Sequence, residues 1–144
     1  MADENKSLNS EEIELGADVK NLPSVVGFVE SFLEKIDCPM KTLMQVNVAV
    51  DEIFTNISSY AYRSGSGDAK LRMELLKDPR AVLLTFTDNG IPYNPLAKED
   101  PDVTLSADKR QIGGLGIFMA KKLMDDIEYE YRDGKNILRM KKNL

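Results

Sequence analysis

The chain has 144 residues, 42% of them hydrophobic, and a formal charge of −5 at neutral pH. That is one domain's worth of chain with enough apolar residues for a real core, and the charge argues against a broad nucleic-acid or membrane-binding face. Histidine is absent and Cys38 is the single cysteine, which excludes an intrachain disulfide, Ser-His-Asp and Cys-His catalysis, histidine-ligated zinc and autophosphorylation on histidine within this chain.

Any proton acceptor working near neutral pH is therefore a carboxylate. No apolar stretch approaches the roughly 20 residues needed to span a bilayer, and the start, Met1 to Ser7, lacks the basic and apolar regions of a signal peptide; a cytoplasmic protein is expected. Residues 1–9 read as a flexible start, and 10–144 as a single domain.

The first predicted strand lies near Ile13 to Ala17. A helix follows from Pro23, a good first-turn residue, through Val25, Val29, Phe32, Leu33 and Ile36, and Asp37-Cys38-Pro39 ends it. A long helix is predicted over Met40–Tyr62. At about 100° per residue, Leu43, Val46, Val50, Ile53, Phe54 and Ile57 form its apolar arc, while Gln45, Ala49, Glu52, Asn56 and Ser59 form a polar and small stripe on its flank. Glu52 and Asn56, four apart, share a face; such a pair alone usually marks a solvated surface. Asp51 points about 100° away.

After a turn at Ser64–Gly67, strands are predicted over Lys70–Lys77 and Ala81–Thr87, joined around Asp78-Pro79. Asp88-Asn89-Gly90 ends the second of them. Asp-Asn-Gly most often makes a tight hairpin, but Pro92 and Pro95 follow, and proline cannot donate to a central ladder. The other reading has Asp88 accept a hydrogen bond from a ligand amino group while Gly90 permits close approach. Residues 91–112 are proline-containing, polar and weakly periodic, which suits either a lid or a disordered insertion.

Gly113-Gly114-Leu115-Gly116 then precedes Ile117 to Met124, a run of helical composition. Glycines there are either a flexible hinge or a source of free backbone N–H groups that, with the helix dipole, suit a polyphosphate. The segment lacks the Gly-Lys-Ser/Thr of a P-loop and does not open on a strand's end as a dinucleotide fingerprint does. Two strands close the chain, Ile127–Arg132 and Asn136–Lys142, with Asp133-Gly134 as their hairpin turn. Lys135, Arg139, Lys141 and Lys142 read as a solvated strand end.

Taken in order, Glu52-Ile-Phe-Thr-Asn56, Asp88-Asn-Gly90 and Gly113-Gly-Leu-Gly116 resemble the three boxes of the GHKL superfamily of ATP-binding domains, over roughly residues 10–142. The short layout, with Asp88-Asn-Gly-Ile-Pro-Tyr-Asn-Pro95 and Gly113-Gly-Leu-Gly-Ile-Phe-Met-Ala120, is similar to the anti-sigma-factor serine/threonine protein kinases. The resemblance implies an α+β two-layer sandwich of the Bergerat type, with a mixed, mainly antiparallel sheet and three helices on one face.

It also implies roles. Glu52 is the catalytic base, Asn56 the Mg2+ ligand, and Asp88 the partner of the adenine amino group. The implied ATP-binding set is Asn56, Ser59, Asp88, Asn89, Gly90, Ile91, Arg110, Gly113, Gly114, Leu115, Gly116 and Ile117, with 91–112 as the ATP lid and Lys109 and Arg110 able to balance phosphate charge. The cofactors are ATP and Mg2+. The partners are a sigma factor and an antagonist protein that is phosphorylated, and a homodimer forms through the first strand and helix. The sequence departs from the pattern at Pro92, where a second glycine is usual, and at Asn136, near where a threonine is common. An ATP-gated binding module without efficient transfer is the alternative; a detached histidine-kinase ATP domain fits less well, with no histidine and no dimerisation helix pair.

Overall fold

The computed structural model describes residues 10–62, 67–97 and 114–144. The elements are β1 (Ser10–Gly16), α1 (Leu22–Lys35), α2 (Met40–Tyr60), β2 (Asp68–Leu76), β3 (Ala81–Asp88), α3 (Gly114–Leu123), β4 (Asp126–Arg132) and β5 (Lys135–Asn143), with short 3-10 turns at Val19–Asn21 and Pro95–Ala97. The expected Lys109 and Arg110 contacts, Gly113 and most of the expected lid lie outside the described residues.

The α1 C-terminus is closed by a Schellman arrangement. Asp37 takes a left-handed φ of 55°, its N–H bonds the Glu34 carbonyl, and the Cys38 N–H bonds the Leu33 carbonyl. Pro39 follows and caps α2, so only a short turn separates the two helices. The β4–β5 turn is the two-residue hairpin that Asp-Gly demands, with positive φ at Asp133 and Gly134.

The five strands run in the order β1-β2-β3-β5-β4, and every pairing is antiparallel. No parallel pair of the expected mixed sheet occurs among the described strands. Alternation sorts the two faces. Leu71 and Met73 of β2, Val82, Leu84 and Phe86 of β3, and Leu138 and Met140 of β5 are buried beneath the helices. The opposite face carries ion pairs such as Arg72–Glu74 at 3.3 Å and Arg139–Glu130 at 3.4 Å, which suits solvent exposure.

The helical layer meets that sheet with Val25, Val29, Phe32 and Leu33 from α1, Val46, Ala49, Val50, Ile53 and Phe54 from α2, and Ile117 and Ala120 from α3, in one continuous core. Ala49, assigned by the helical wheel to the polar flank, is fully buried. α2 lies between α1 and α3 and packs against both. The α+β two-layer fold follows from this arrangement, and it places the C-terminal end of β3 beside the second half of α2.

Candidate functional site

β3 ends at Asp88, which shares the inward face with Phe86 and is only 5% exposed. A carboxylate so buried needs partners. Its Oδ1 accepts the Gly90 N–H at 2.9 Å and the Asn136 Nδ2 donor at 2.9 Å. Asp88 opens onto a small cavity of about 30 Å³, walled by Asn56, Ile57, Phe86, Tyr93, Tyr129 and Asn136 among others. Apolar walls with a few convergent polar groups are the usual make-up of a small-molecule site. Tyr93 stacks on Tyr60 at 4.8 Å between centroids, so the chain after β3 is held against the end of α2.

Gly90 has a structural cause. A Cβ there would lie 2.2 Å from the Ala61 carbonyl oxygen and 2.6 Å from its carbon, while the Ile91 N–H donates to that same carbonyl at 3.0 Å. The strap after β3 thus lies directly on the C-terminal end of α2. The Gly90→Ala substitution should cost about 1–3 kcal/mol, the range for overpacking against groups that cannot give way. Urea denaturation would read it as a lower midpoint at unchanged slope, and an unchanged midpoint would refute the close-approach account.

Asn56 brings its amide to the cavity, and Glu52 lies one turn earlier on the same helix. Glu52 reaches the other end of the site. A Cβ on Gly116 would sit 1.9 Å from the Glu52 Oε2, so the carboxylate occupies the space that a side chain at 116 would take. α3 begins at Gly114, not after Gly116, and Gly114 to Ile117 are therefore its first turn. The N–H groups of a first helical turn have no intrahelical acceptor and carry the positive end of the helix dipole. Burial pushes the Glu52 carboxyl above its ordinary range, and the neighbouring Asp51 charge adds to the shift.

Along α2, Asn56 at the Asp88 cavity and Glu52 at the N-terminus of α3 stand one turn apart. Asn56 suits Mg2+, which takes one or two protein oxygens and completes its shell with phosphates and water. Among the described residues no group of three or more acidic or cysteine side chains could hold a metal by itself.

Other expected site residues sit elsewhere. Ser59 is exposed and lines a separate groove with Gly16 to Asn21; it lies about 160° round the helix from Ile57 and Ala61, which line the cavity. Asn89 is exposed and lines a third depression with Glu14, Lys70 and Lys135. Ile91 is 40% exposed, and its backbone bonds Asn136 and Ala61. Arg110 and Gly113 lie outside the described residues, and Leu115 enters only as a backbone position of α3. Sequence reading missed Tyr93, Tyr129, Phe86 and the part played by Asn136. Strand alternation signals the inward face of Phe86 and Tyr129; the pairing of Asn136 with Asp88 needs the β3–β5 register.

Comparison with known proteins identifies relatives of the chain. The chain is 33% identical over 93 residues to the serine/threonine-protein kinase BtrW of Bordetella bronchiseptica, covering 65% of each protein. It is 28% identical over 105 residues to the serine-protein kinase RsbW of Listeria monocytogenes, covering 70% of this chain and 66% of that one. The matches span just under two thirds of these relatives' own lengths. A crystal structure of RsbU and RsbW domains from Mycobacterium tuberculosis superposes with a TM-score of 0.67 over 94% of this chain and 32% of that one, at 16% identity, a likeness of fold. Residues 15–142 match the histidine kinase-like ATPase domain model, a span holding the Asp88 cavity, Glu52 and the first turn of α3; by fold and by sequence, the chain belongs to the histidine kinase-like ATPase domain family.

Proposed function

We propose that this protein is a Mg-ATP-dependent serine/threonine protein kinase of the anti-sigma-factor type, one that binds a sigma factor and phosphorylates an antagonist protein. The observation that carries the reading is Glu52: a carboxylate of raised basicity lying against Gly116 in the first turn of α3, one helical turn from Asn56 and the Asp88 cavity. The relatives' names, serine-protein kinase and serine/threonine-protein kinase, point the same way.

In this reading Asp88 accepts the adenine amino group and the N–H groups of Gly114 to Ile117 hold phosphate oxygens. Mg2+, held in part by Asn56, would neutralise phosphate charge. Glu52 orients the acceptor serine and takes its hydroxyl proton. The serine oxygen forms a bond to the γ-phosphorus as the bond to the bridging oxygen breaks, and ADP leaves with the electron pair. The exposed ridge Met40, Met44, Val48 continues at four-residue spacing into Glu52, which gives a polypeptide acceptor an apolar strip leading to the base and favours protein over water.

Self-association through β1 and α1, and a cytoplasmic location, belong to the same proposal. β1 is an edge strand, paired among the described residues only to β2. No helix among the described residues is long and apolar enough to cross a membrane.

The test is incubation with γ-labelled ATP, Mg2+ and candidate antagonist proteins, followed by mapping of any labelled residue. Label on a serine or threonine of the antagonist supports the reading. Tight ATP binding with no label in any verified partner would replace it with an ATP-gated binding module.

A further inference from the structure

Asn136 stands opposite Asp88 in the β3–β5 register and is 6% exposed. A side-chain amide offers two donor hydrogens and an oxygen with two acceptor directions, and here all four are committed. Nδ2 donates to Asp88 Oδ1 at 2.9 Å and to the Ile91 carbonyl at 2.8 Å. Oδ1 accepts the Tyr93 N–H at 3.1 Å and the Tyr129 hydroxyl. Since Asp88 Oδ1 also takes the Gly90 N–H, its acceptor directions are filled, and the capacity left for a cavity ligand is that of Oδ2.

We infer that Asn136 is the positioning residue for purine recognition, fixing Asp88 so that Oδ2 meets an exocyclic amino group while locking the Ile91–Tyr93 strap in the same register. The inference rests on the adenine reading of Asp88 given above. Asn136 itself has no donor or acceptor to spare for a ligand, so it acts through Asp88. A carboxylate with fixed aim rewards an amino group and rejects a 6-oxo purine, whose carbonyl would face it unpaired. A carboxylate free to rotate rewards the amino group less, and water then fills the place. A hydroxyl at position 136 offers one donor, enough for Asp88 or for the Ile91 carbonyl but not for both.

The experiment measures ADP and IDP affinity with Mg2+ by calorimetry for the wild type, Asn136→Ala and Asn136→Thr, with near-UV circular dichroism to establish that each is folded. The expected result is a wild-type preference for ADP that falls tenfold or more in Asn136→Ala, chiefly through weaker ADP binding, with an intermediate ratio in Asn136→Thr. If Asn136→Ala weakens ADP and IDP by the same factor, Asn136 is merely structural and the inference is overturned. If Asn136→Ala does not fold, Asn136→Thr decides: a ratio equal to wild type overturns the inference. A wild type that does not prefer ADP to IDP overturns the Asp88 reading and this inference with it.

Discussion

The Glu52→Gln substitution should leave nucleotide and partner binding intact and lower phosphoryl transfer by a factor on the order of 100 or more, the scale of a positioned general base. Glutamine keeps the length and the hydrogen-bonding oxygen beside Gly116, so packing against α3 is preserved while basicity is lost. The chain has no histidine to substitute for it, and Asp51 is exposed on another face of α2. The pH dependence has a definite sign. Burial first, and the Asp51 charge second, raise the Glu52 pKa, so its proton persists to higher pH than on an ordinary glutamate. The acid limb of transfer should therefore inflect above the usual glutamate range, and Asp51→Asn should move it down. By linkage, the folded state holds this proton more tightly than the unfolded chain. The stability it contributes is present below the ordinary glutamate pKa and lost as pH rises through the folded value. Undiminished transfer by Glu52→Gln, in single-turnover assays with labelled ATP, would remove Glu52 from the mechanism.

Phe54→Ala should give the largest loss of stability, about 3–5 kcal/mol, the range for deleting a buried aromatic ring and leaving a cavity. Phe54 is 1% exposed in the core shared by the helices and the sheet. It also lies between Glu52 and Asn56 along α2 and on the opposite side, so its packing fixes the rotation of the helix that presents them. Chemical denaturation reads the stability directly. A loss below about 1 kcal/mol would mean that the ring is not fully packed, since even Ile→Val costs about that much in a tight core.

Local signals were legible without coordinates. The hairpin at Asp133-Gly134 lies where Asp-Gly between two alternating runs places it, and α1 and α2 follow the helical periodicity to within two residues. Asp88 at a strand end, and the shared face of Glu52 and Asn56, are consequences of periods of 2 and 3.6. What escaped depends on distant pairing. Asn136 is a plain polar residue in the sequence; only the register that sets it across from Asp88, 48 positions away, makes it the centre of four hydrogen bonds. Tyr93 reaches the cavity because the strap folds back over Ala61. Gly90 and Gly116 read as ligand-facing glycines, yet the atoms that would meet their added Cβ belong to Ala61 and Glu52. The start of α3 at Gly114 runs against the poor helix propensity of glycine, which the packing of α3 on α2 outweighs.

In the proposed function Asp88 and the first turn of α3 are two ends of one nucleotide site joined by Asn56. Amide hydrogen exchange with and without saturating Mg-ATP tests it most directly, since the adenine end and the phosphate end have separate reporters. Mg-ATP should slow exchange both at Gly90 to Tyr93 and at Gly114 to Ile117, and Asp88→Asn should diminish both effects together at a fixed ATP concentration. Unchanged exchange at the Gly114–Ile117 amides under saturating Mg-ATP would contradict it.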